Sequence, residues 1–102
     1  MKEWSRAEWE TISRNAEIAA YYLYTPMCGT CQVASKMLAV VEELTTDTPM
    51  GKANLNFENG LAHDYQIESV PCLLISVQGE IREKIYAFHS VTYLYEKLRN
   101  YN

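Results

Sequence analysis

An apolar run, Ile18-Ala19-Ala20-Tyr21-Tyr22-Leu23-Tyr24, stops at Thr25-Pro26 and is followed at once by Met27-Cys28-Gly29-Thr30-Cys31. Seven residues are too few for a buried helix, and a residue preceding proline is pushed toward extended backbone, so the run predicts a central strand. Beyond the second cysteine the pattern turns helical. Val33, Met37, Val40, Val41 and Leu44 are expected to mark one face of a helix running to about Thr45. Two thiols separated by two residues therefore fall at a strand-to-helix junction. The unpaired N–H groups and positive macrodipole end of a helix start favour a thiolate. A pair in that setting can close a disulfide and reopen it.

The other elements can be read around this junction. Ser5-Arg6-Ala7-Glu8 has the capping-box pattern, and Trp4 and Trp9 stand where a hydrophobic staple would, which predicts a helix from about Arg6 to Asn15. Thr45–Lys52 is turn-rich, Ala53–Phe57 predicts a short second strand, and Leu61–Tyr65 a brief helix. Val70-Pro71 introduces an apolar strand, Cys72–Val77. Gln78-Gly79 then makes a two-residue hairpin turn into a strand at about Glu80–Ala87. Ser90 caps a last helix, with Val91, Leu94, Tyr95 and Leu98 at helical spacing. The order α-β-α-β-α-β-β-α combines a β-α-β crossover with an antiparallel hairpin. It predicts an α/β sandwich: a mixed four-stranded sheet with helices on both faces.

At 102 residues the chain is expected to form one domain, 1–102. Charge excludes some partners: the net value is −4, with no Lys/Arg block, so no nucleic-acid partner is expected. No apolar stretch approaches the roughly 20 residues that span a bilayer, and no signal-peptide core follows Lys2 and Glu3. No membrane association and a cytoplasmic location follow as expectations. In that reducing compartment a Cys-x-x-Cys is redox-active or metal-binding rather than structural.

Metal binding and an inert pair stand beside redox exchange as readings of Cys28 and Cys31. Structural zinc takes four ligands, and only Cys72 and His63 could complete a set within one chain; no metal site is expected. Cys72 reads as a buried thiol acting as a small apolar residue, or as a third thiol close enough to tune or trap the pair. His63 and His89 have no visible partner. Tyr24, Tyr65 and Tyr86 are candidates to line a groove, while Glu42, Glu43 and Asp47 read as solvated surface.

The Cys28-Gly29-Thr30-Cys31 motif, Val70-Pro71 some forty residues later and the final hairpin-plus-helix together resemble the thioredoxin family. The resemblance covers the chain from about Ile18 onward, with the helix before it matching the family's first; the family's first strand is not evident. It implies a thioredoxin-like three-layer α/β/α fold. It also implies that Cys28 is the exposed nucleophile, Cys31 the resolving thiol and Pro71 a cis-proline facing them. The Val70 backbone would pair with bound peptide, and Met27, Gly29 and Thr30 would complete the substrate groove. Several positions depart from the family pattern: Thr30 replaces the motif's proline and Met27 the tryptophan before it. Tyr22 stands for a buried aspartate and Asn54 for its lysine, and Tyr86 aligns roughly with a glycine that opens the groove.

The expected function is thiol–disulfide oxidoreduction, as an enzyme reducing disulfides of protein substrates by a Cys28/Cys31 cycle. A separate reductase of the thioredoxin-reductase type, or a low-molecular-weight thiol, would return the pair to the dithiol. With no G-x-G-x-x-G fingerprint, no nucleotide cofactor is expected. A glutaredoxin-like route through glutathione and a redox-sensing or adaptor module are the alternatives. Direction stays open, because such pairs span roughly −270 to −120 mV.

Overall fold

The strand predicted at Ile18–Tyr24 (β2) lies at the centre of the sheet and shows by its alternation why the fold has three layers. Side chains of successive strand residues point to opposite faces. Ile18, Ala20 and Tyr22 enter one apolar cluster, while Ala19, Tyr21 and Leu23 enter the other. Both faces are covered, so the run is apolar throughout.

The structure is a computed structural model and describes residues 1–101; Asn102, the last residue of the expected domain, lies outside them. In chain order the elements are β1 (Lys2–Glu3), α1 (Arg6–Asn15), β2, α2 (Gly29–Leu44) and β3 (Met50–Asn54). A single 3-10 turn at Leu55–Phe57, α3 (Leu61–Asp64), β4 (Cys72–Val77), β5 (Glu80–Ile85) and α4 (Val91–Arg99) follow. The sheet order is β1-β3-β2-β4-β5. β3 runs parallel to both β1 and β2, whereas β2–β4 and β4–β5 are antiparallel. Ala34, Leu38 and Val41 of α2 pack with Leu94 and Leu98 of α4 on one face; Trp9 of α1 and Leu61 of α3 pack on the other.

Three sequence expectations need correction. The sheet has five strands rather than four, because a first strand exists: Lys2 and Glu3 pair with Gly51 and Lys52. Two exposed charged residues carry no apolar alternation to announce it. What holds it is the next residue, Trp4, whose N–H donates to the Lys52 carbonyl at 2.8 Å and whose ring is buried. The second expected strand begins at Met50, not Ala53, and ends where the 3-10 turn takes over. Gly51 looks like a turn residue in sequence but is a buried strand residue, and a Cβ there would overlap the Trp4 indole.

The third correction concerns α2. Its buried residues are Cys31, Ala34, Leu38 and Val41, at i, i+3, i+7 and i+10. Of the face expected from sequence only Val41 is buried, while Val33, Val40 and Leu44 are exposed. The helix carries two apolar stripes, and periodicity alone could not choose between them. The buried stripe is the one that meets the sheet and α4, with Ala34, Leu38 and Val41 in one cluster with Ile75, Leu94 and Leu98.

The start of α1 forms as its residues dictate. Ser5 Oγ accepts from Glu8 N at 3.1 Å, and Glu8 Oε1 accepts from Ser5 N at 2.9 Å. Trp4 stacks on Trp9, with ring centroids 6.4 Å apart, and Trp9 stacks on Tyr21 at 4.7 Å. Glu42 is less solvated than expected, because it pairs with the Met1 amino group at 3.2 Å.

Candidate active site

Cys28 is the N-cap of α2, and Cys31 lies in its first turn. Their sulfurs are joined in a disulfide, with Cα atoms 5.2 Å apart. The two are unequal: Cys31 is 3% exposed, whereas Cys28 is only partly buried and follows Met27, which is 94% exposed. Around the Cys28 sulfur stand the Cys31 N–H at 3.2 Å, the Thr30 hydroxyl oxygen at 3.3 Å and the Val70 carbonyl oxygen at 3.8 Å. In the disulfide this sulfur carries no proton, so it accepts from the N–H. Once reduced, its thiolate would meet the same donors at the helix start.

The Val70–Pro71 peptide bond is cis. Val70 and Pro71 share with α2 the lining of a groove of about 470 Å³. Thr30, Val33 and Met37 form one wall of it, and Val70, Pro71 and Phe88 are among the residues opposite. Of the residues proposed from sequence, Thr30, Val70 and Pro71 line this groove beside the disulfide. Met27 and Gly29 do not; Met27 is exposed to solvent, and Gly29 has open space where a side chain would begin.

The tyrosines divide. Tyr86 lines the groove, but its hydroxyl accepts from Glu68 N at 3.2 Å. Tyr24 instead bonds Glu3, and Tyr65 lies beneath the Arg6 guanidinium, 5.1 Å from ring centroid to charge. Sequence reading missed Met37, Phe88 and His89 as groove residues. Phe88 and His89 follow the predicted strand in a segment without periodicity, and His89 takes a left-handed φ of 55° that no local pattern announces.

Cys72 is fully buried in the cluster on the α1 and α3 side of the sheet, with Trp9, Tyr21 and Leu23. Burial pushes its thiol up to about 12, against a smaller opposing effect of its hydrogen bond with Tyr86. It is the apolar-like thiol of the two readings. His63 is exposed and, among the described residues, pairs with Asp64 at 3.3 Å. Among the described residues no three His, Cys, Asp or Glu side chains are grouped to hold a metal ion.

At the positions of the buried aspartate and its lysine, other chemistry is in place. The Tyr22 hydroxyl is buried and donates to the Cys31 carbonyl at 2.8 Å. Asn54 turns its side chain to the 3-10 turn and accepts from Asn56 N at 2.9 Å.

The sequence profile of the family described as Thioredoxin matches residues 1–100. The chain belongs to the thioredoxin family. Thioredoxin-like protein YusE of Bacillus subtilis (strain 168) is 48% identical to this thioredoxin-family chain over 99 residues, covering 97% of it and 92% of YusE. Protein disulfide isomerase-like 1-4 of Arabidopsis thaliana is 34% identical over 71 residues, which cover 68% of this chain and 12% of that protein. The fold agrees with solved thioredoxins. A mutant thioredoxin from Halobacterium salinarum NRC-1 superposes with TM-score 0.88 at 21% identity, covering 99% of this chain and 88% of that one. Oxidised mitochondrial thioredoxin 3 from Saccharomyces cerevisiae gives 0.87 at 15% identity, covering 98% and 94%. Family membership together with a Cys-x-x-Cys disulfide supports thiol–disulfide oxidoreductase as the class of this thioredoxin-family protein. No helix among the described residues is long and apolar enough to cross a membrane.

Proposed function

We propose that the chain, as one thioredoxin-like domain over 1–102, reduces disulfides in protein substrates. Cys28 is the nucleophile and Cys31 the resolving thiol. Cys28 thiolate attacks a substrate sulfur, forming a mixed disulfide and releasing the substrate's other sulfur as a thiolate. Cys31 then attacks the Cys28 sulfur. The Cys28–Cys31 bond forms, the remaining substrate thiol leaves, and two electrons have passed from the protein dithiol to the substrate. The unequal burial of the two cysteines carries this reading, because an incoming disulfide can reach Cys28 and not Cys31.

The groove supports a protein substrate over glutathione. Val33, Met37, Val70, Pro71 and Phe88 offer an apolar surface suited to a chain segment rather than to a small charged tripeptide. The Val70 backbone beside Cys28 provides main-chain groups to which an extended segment can pair. Thr30 lines the groove, and the exposed Met27 and Gly29 flank Cys28 where a bound segment would pass it. A thioredoxin-reductase-type enzyme or a low-molecular-weight thiol re-reduces the pair, and the protein works in the cytoplasm, contributing to cell redox homeostasis.

Turnover tests the proposal. With dithiothreitol as electron donor, catalytic amounts of the protein should reduce many equivalents of insulin disulfide. Stoichiometric oxidation without cycling would instead indicate a redox sensor, and a requirement for glutathione the glutaredoxin-like route.

A further inference from the structure

Tyr22 is a buried hydroxyl that the exchange cycle does not consume, yet it touches the backbone of the resolving cysteine. It sits mid-strand in β2, paired with Lys52 of β3 on one side and Leu73 of β4 on the other. Its ring stacks on Tyr24 at 5.6 Å and meets Phe88 edge-on at 5.9 Å, so its position is set by the core. From there its hydroxyl donates to the Cys31 carbonyl at 2.8 Å, and it accepts from Ser35 Oγ at 3.2 Å. Ser35 lies one helical turn beyond Cys31, so strand β2 grips the first two turns of α2, once in each.

We propose that Tyr22, supported by Ser35, is a positioning residue that holds Cys31 in place for its attack on the Cys28 mixed disulfide. The inference rests on the nucleophile and resolving roles assigned above. A Cys31 carbonyl anchored to the central strand limits how far the cysteine can drift once the disulfide opens. Intramolecular attack depends steeply on such placement. Phenylalanine would fill the same space, so packing alone does not call for the hydroxyl. Burial raises the Tyr22 phenol above its ordinary acidity range, partly opposed by the Ser35 bond, which keeps it a neutral donor through the physiological pH range.

Reduced protein reacting with dithiobis(nitrobenzoate) separates the steps. Cys28 thiolate attacks the reagent, making a Cys28–aryl mixed disulfide and expelling one thionitrobenzoate. Cys31 then loses its proton to water and attacks the Cys28 sulfur, so the protein disulfide forms and a second thionitrobenzoate leaves. Tyr22→Phe should leave the first release unchanged and slow the second by about three- to tenfold, the effect of one lost hydrogen bond. Its equilibrium with glutathione should shift in the same proportion toward the dithiol. Ser35→Ala should act in the same direction but more weakly, and it carries the test if Tyr22→Phe does not fold. Unchanged second release and unchanged glutathione equilibrium overturn the inference, whatever happens to the melting temperature. If the wild-type protein shows no first release from Cys28, the exchange reading itself fails and takes this inference with it.

Discussion

The Cys31 backbone N–H points at the Cys28 sulfur across 3.2 Å, so the buried cysteine supplies a donor to the accessible one. The Thr30 hydroxyl, 3.3 Å from the same sulfur, is a second polar neighbour. In the reduced protein Cys28 should therefore alkylate first with iodoacetamide, with Cys31 and Cys72 modified only after denaturation. Mass mapping of a partial reaction reads the order. Early label on Cys31 or Cys72 would reverse the assignment.

The two cysteines should also separate by role in trapping experiments. Cys31→Ser leaves the accessible nucleophile but no resolving thiol, so a reducible adduct with insulin chains should accumulate. Cys28→Ser should form none. Cys72 is buried on the other side of the sheet and should not resolve the adduct, so Cys31→Ser/Cys72→Ser should trap no more than Cys31→Ser alone. Gel analysis with and without reductant decides it.

The buried Cys72 thiol predicts a slope in alkaline stability. Its folded pKa, up to about 12, lies above the roughly 8.5 of a free cysteine. Between those values the unfolded chain has released a proton that the native protein still holds. Stability is thus whole below about pH 8.5 and falls as pH rises, by about 1.4 kcal/mol per pH unit for one proton. Cys72→Ala should remove this component. Urea unfolding of the oxidised protein from pH 8 upward measures it, and equal slopes in the two proteins would contradict it.

Gly51 and Trp4 form a close-packed pair that admits no Cβ. Gly51→Ala should destabilise the protein by about 1–3 kcal/mol through overpacking and displacement of the indole. Chemical unfolding followed by tryptophan fluorescence should show it, while Cys28 alkylation in the native state stays unchanged.

Loss of the α1 cap provides a smaller and independent effect. Ser5→Ala removes the acceptor for Glu8 N and one half of the reciprocal pair. It should cost about 1 kcal/mol, with exchange activity retained. A change in midpoint with an unchanged denaturant slope would identify it as a stability effect.

Elements whose signals are local were legible in the order of the amino acids. The bounds of β2 follow from seven apolar residues ending before Thr25-Pro26, and the α1 start follows from the Ser5/Glu8 reciprocity. The Cys28/Cys31 pair at a strand-to-helix junction, with Val70-Pro71 before β4, pointed to the family and to the chemistry. Features that depend on a distant partner came from packing instead. β1 exists because Trp4 docks over Gly51, far along the chain, and two charged residues cannot signal such docking. Which apolar stripe of α2 is buried was settled by the sheet and α4, since both stripes satisfy the helical period. The groove walls at Met37, Phe88 and His89, and the Tyr22–Cys31 bond, join residues from separate elements. Periodicity places side chains on faces of an element, and only packing says what each face meets.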